Sequence, residues 1–169
     1  MAEKALDVYL NDHLGGSMLG TDLAKQIRDG AKGTPLGEKM TVIAADIEDD
    51  QEVLQHLMEL LGVSRNPVKQ ATGWIAEKAS RVKFSGVSSG EPDHGLFMAI
   101  ETLRLGVAGK RCLWLALQQV QADYPALNEV DVETLIQRAS GQLAELESER
   151  IALARPVLSE GSRSAPVAS

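Results

Sequence analysis

The chain has 169 residues, 44% of them hydrophobic and 24% charged, and a formal net charge of −7. That is enough for one domain with a sizeable core, and the excess of acid argues against nucleic acid and against an anionic membrane surface as partners. Cys112 is the single cysteine, so no intramolecular disulfide and no cysteine metal cluster can form; a reducing, cytoplasmic setting suits that usage.

The opening stretch MAEKALDVYLNDHL carries Glu3, Asp7 and Asp12 and lacks a continuous apolar core, so it does not read as a signal peptide. A first helix is expected over about Glu3 to Ala31, with Leu6, Leu10, Leu14, Leu19, Leu23 and Ile27 as its apolar residues. Its middle, GGSMLG, is poor in helix propensity, at about 1 kcal/mol per Gly relative to Ala. The helix is kept because Gly16, Gly20 and Ala24 recur every fourth residue, a small-residue stripe that would let another backbone come close.

Thr34 and Pro35 then read as N-cap and first helical residue of a long second helix ending at Gly62. Its apolar residues are Leu36, Met40, Ile43, Ile47, Leu54, Leu57 and Leu61, and the one missing step is filled by Asp50, a carboxylate in the buried seam. Between Lys39 and Arg65 there is no Lys or Arg, whereas Asp46, Glu48, Asp49, Asp50, Glu52 and Glu59 all fall there. Asn66 and Pro67 repeat the cap-plus-proline signal and open a short basic helix to about Phe84, a candidate partner surface for the acidic helix. The segment Ser85 to His94 reads as a loop.

A third long helix is expected from about Gly95 to Ala122, with Leu96, Ile100, Leu103, Val107, Trp114 and Leu117 as its stripe, Lys110 at the polar step, and Cys112 as a small core residue near Trp114. Tyr124 and Pro125 close it. The fourth starts near Asn128 or Asp131 and ends at Pro156, with Gln142 intruding on a face of Val132, Leu135, Ala139, Leu143, Leu146 and Leu153. Residues 1–155 form the bundle, and 156–169 read as a disordered tail. Short joints make the first and second helices antiparallel neighbours, and likewise the third and fourth. The long second-to-third connection can run the length of the bundle at about 1.5 Å per helical residue.

This order, a long acidic helix ending LMELLG, a short basic helix, then AIETLRLGVAGKR, resembles ferritin-like bundles, especially the small bacterial ones of the DUF892 type. The resemblance implies an all-α, ferritin-like up-down four-helix bundle with a short extra helix in the long 2–3 crossover. In that family carboxylates and His bind two iron or manganese ions in the core. Carried over, the implied ligands are His13, Asp46, Asp50, Glu101 and Glu145. The full pattern of Glu-x-x-His on two helices is absent here, so two standard centres are not expected.

The competing reading makes Asp50 a polar layer held by Lys110, or by Arg104 or Arg150, with His13 a core histidine and Glu101 paired with Arg104 or Lys69. Glu145, Glu147, Glu149 and Arg150 read as a solvated face. No phosphate loop and no nucleophilic arrangement around Cys112 is present. The sequence therefore suggests a non-catalytic or degenerate ferritin-like protein with a structural or stress-associated role. The alternatives are an iron- or manganese-binding one and a helical interaction module docking a partner helix on its glycine-thinned face. A homodimer is the expected assembly, and the sequence points to no particular protein partner.

Overall fold

The computed structural model describes residues 4–66 and 94–159. The short basic helix expected at 67–84, most of the loop before His94 and the expected tail from residue 160 on lie outside these residues. Among those described, the chain is four long helices and one 3-10 turn, with no strand: α1 Ala5–Gly30, α2 Pro35–Leu60, α3 His94–Gln119 and α4 Val132–Leu158, with the 3-10 turn Pro125–Glu129 before α4. No helix among them is long and apolar enough to cross a membrane.

Local chemistry sets the ends. Thr34 Oγ accepts from Gly37 N–H at 3.2 Å, and Pro35 needs no acceptor at the first position, so α2 starts where the sequence says. At its far end Gly62 takes φ +68°, its N–H bonds to Glu59 O, and Val63 N–H reaches back to Met58 O at 2.8 Å. This is a Schellman motif, and both Val63 and Met58 are buried beside it. Asp131 caps α4 by accepting from Thr134 N–H at 3.1 Å.

Several expectations shift. His94 opens α3 instead of sitting in a loop, and α3 stops at Gln119, three residues short of Ala122. Pro156 does not end α4, which continues to Leu158. A proline in the last turn removes only one helical bond, buried Val157 anchors that turn, and Ser159 N–H still bonds to Arg155 O. Cys112 is exposed rather than core. Leu113, Trp114 and Leu117 take the inward positions, and the helical period turns residue 112 outward.

Two apolar clusters reveal how the helices run. One joins Ile27 near the end of α1, Met40 near the start of α2, Leu96 near the start of α3 and Leu146 on the later half of α4. The other joins Leu10, Leu57, Leu117 and Val132, from the opposite ends of the same helices. So α1 and α4 run one way, and α2 and α3 the other. Packing is closest between α1 and α2 and between α3 and α4, with α1 also against α3. Asp50 lies between the clusters, near mid-height.

Candidate functional site

Residue 50 falls on the seam of α2 because 47, 54 and 57 do, and the fold buries it: Asp50 is 2% exposed. A buried carboxylate must be paired or neutralised. Here Lys110 Nζ of α3 lies 2.5 Å from its Oδ2, and an Arg138 guanidinium nitrogen of α4 donates to its Oδ1 at 2.8 Å. Lys110 donates a second bond to Gln142 Oε1 at 2.6 Å. Two positions flagged as polar interruptions, Lys110 and Gln142, thus meet Asp50 in one layer linking α2, α3 and α4. Arg138 was not foreseen. It sits one turn before Gln142 on the same face of α4, and that spacing was the available signal. Burial pushes the Lys110 ammonium below its usual pKa, while Asp50 and Asp46 draw it back up and Arg138 opposes them.

The other expected ligands lie elsewhere. Glu101 accepts from Arg150 at 3.5 Å, not from Arg104. Arg104 pairs with Glu147 at 2.7 Å, and Glu147 is also gripped by Arg150 through two nitrogens. Glu145 is 3.5 Å from Lys39, which binds Glu149 at 2.6 Å. His13 is half-buried, edge-on to Tyr9 with ring centroids 4.6 Å apart, and burial holds its pKa below the ordinary value while nearby Asp12 pulls upward. Asp46 is half-buried one turn before Asp50. Among the described residues no three His, Cys, Asp or Glu side chains form a group that could hold a metal ion.

Beside the polar layer, on its α1 side, is a cavity of about 200 Å³. Gly16 and Gly20 of α1 and Gly106 and Gly109 of α3 contribute no side chain to it, and Leu54, Val107 and Leu113 give it apolar walls. Lys110, Asp50, His13 and Trp114 border it too. A Cβ added at any of those four glycines meets nothing within 4 Å among the described residues. The stripe expected to admit a close backbone therefore leaves open space, and only Ala24, fully buried, serves as a packing residue.

Asn11 was also missed. Its Nδ2 donates to Asp7 O at 2.9 Å and Ser64 O at 3.0 Å, and its Oδ1 accepts from Asn66 N–H at 2.6 Å. It ties the start of α1 to the chain leaving α2. No family model, curated protein or solved structure matches the chain.

Proposed function

We propose that the chain is a non-catalytic, ferritin-like helical protein with a structural or stress-associated role, in which an ion-pair layer stands where such bundles carry metal. The observation that carries this reading is that both oxygens of Asp50 are engaged by cations, Lys110 at 2.5 Å and Arg138 at 2.8 Å. A metal ion there would have to displace an ammonium already inside the carboxylate's reach, and repulsion from two cations opposes it. The parallel run of α2 and α3 supports the ferritin-like part. Two parallel helices separated by a long connection are the wiring of that fold.

The test is elemental analysis of protein purified without chelators and then offered iron and manganese separately. The expected content is below about a tenth of an equivalent of either ion, since Asp50, the buried carboxylate of the oxygen and imidazole set such ions need, is held by two cations. A stoichiometric ion that is lost in Asp50→Asn sinks the reading and revives a carboxylate-rich metal site.

A further inference from the structure

We draw no further inference here: the strongest candidate, the cavity between α1, α2 and α3 thinned by Gly16, Gly20, Gly106 and Gly109, carries nothing, because a stripe of small residues is all that marks it and nothing among the described residues shows what would fill it.

Discussion

Asp50 accepts from two cations while only 1% of its side chain reaches solvent, and Lys110 is 13% exposed. Such a layer is costly to break and need not be favourable to have, because desolvation offsets much of the attraction. Asp50→Ala should therefore cost about 3 kcal/mol by denaturant unfolding, since it leaves the buried Lys110 ammonium without its carboxylate. Replacing the layer together, as Asp50→Leu, Lys110→Met and Gln142→Leu, should recover most of that loss, with Arg138, about a third exposed, turning to solvent. If the triple variant is as unstable as the single one, the layer contributes net stability and the desolvation account fails.

His13 gives a pH signature at the same scale. Burial keeps its folded pKa below the ordinary 6.5, so between those values the unfolded chain binds more protons than the folded one. This contribution to stability is present above pH 6.5 and is lost as pH falls through that value toward the folded pKa. His13→Gln should flatten this part of the profile between about pH 7.5 and 5, measured as the difference in unfolding free energy from the parent. Equal slopes for the two proteins would mean that His13 is not held neutral by the fold.

At the scale of elements, glycines in this chain do opposite jobs. Gly37 in the first turn of α2 is buried, and a Cβ there would collide with the Ala31 carbonyl oxygen and sit 2.9 Å from its carbon. Gly37→Ala should lower stability by about 1–3 kcal/mol through overpacking against backbone. Gly20→Ala and Gly109→Ala, whose added methyl meets nothing among the described residues, should raise it by about 0.5–1 kcal/mol each. Thermal melts of the three variants check both signs, and a destabilising Gly20→Ala would mean the helices approach more closely there. Spacing alone identified a glycine face, but not whether that face closes on a neighbour or stands open, because that depends on how far apart the helix axes sit. For the same reason the ends at Thr34 and Gly62 were legible from local residues, and the start of α4 to within Asn128 or Asp131, whereas Arg138 and Asn11 were not. Their partners lie 88 and 53 residues away. Lys110 was legible because a lone cation in one apolar stripe and a lone acid in another have few other places to go.

For the whole molecule, the decisive feature is that α2 and α3 run in the same direction. Leu60, at the end of α2, lies with the cluster of Leu10, Leu57 and Leu117, while His94 lies with that of Ile27, Met40 and Leu96. A helix of 26 residues is about 39 Å long at 1.5 Å per residue, so Leu60 and His94 should be separated by about that distance. In a bundle whose helices simply alternate, the same two residues would share one end, within about 15 Å, allowing a lateral spacing of about 10 Å between axes. Leu60 and His94 are both exposed, which makes them fit for spin labels, and exposed Cys112 would first be replaced by Ser. Pulsed dipolar spectroscopy on Leu60→Cys with His94→Cys should give a distance above about 30 Å, whereas Lys32→Cys with His94→Cys, at one end, should give less than about 25 Å. A short Leu60–His94 distance would reverse α3. It would also move Lys110 along the bundle axis, away from Asp50 and Gln142.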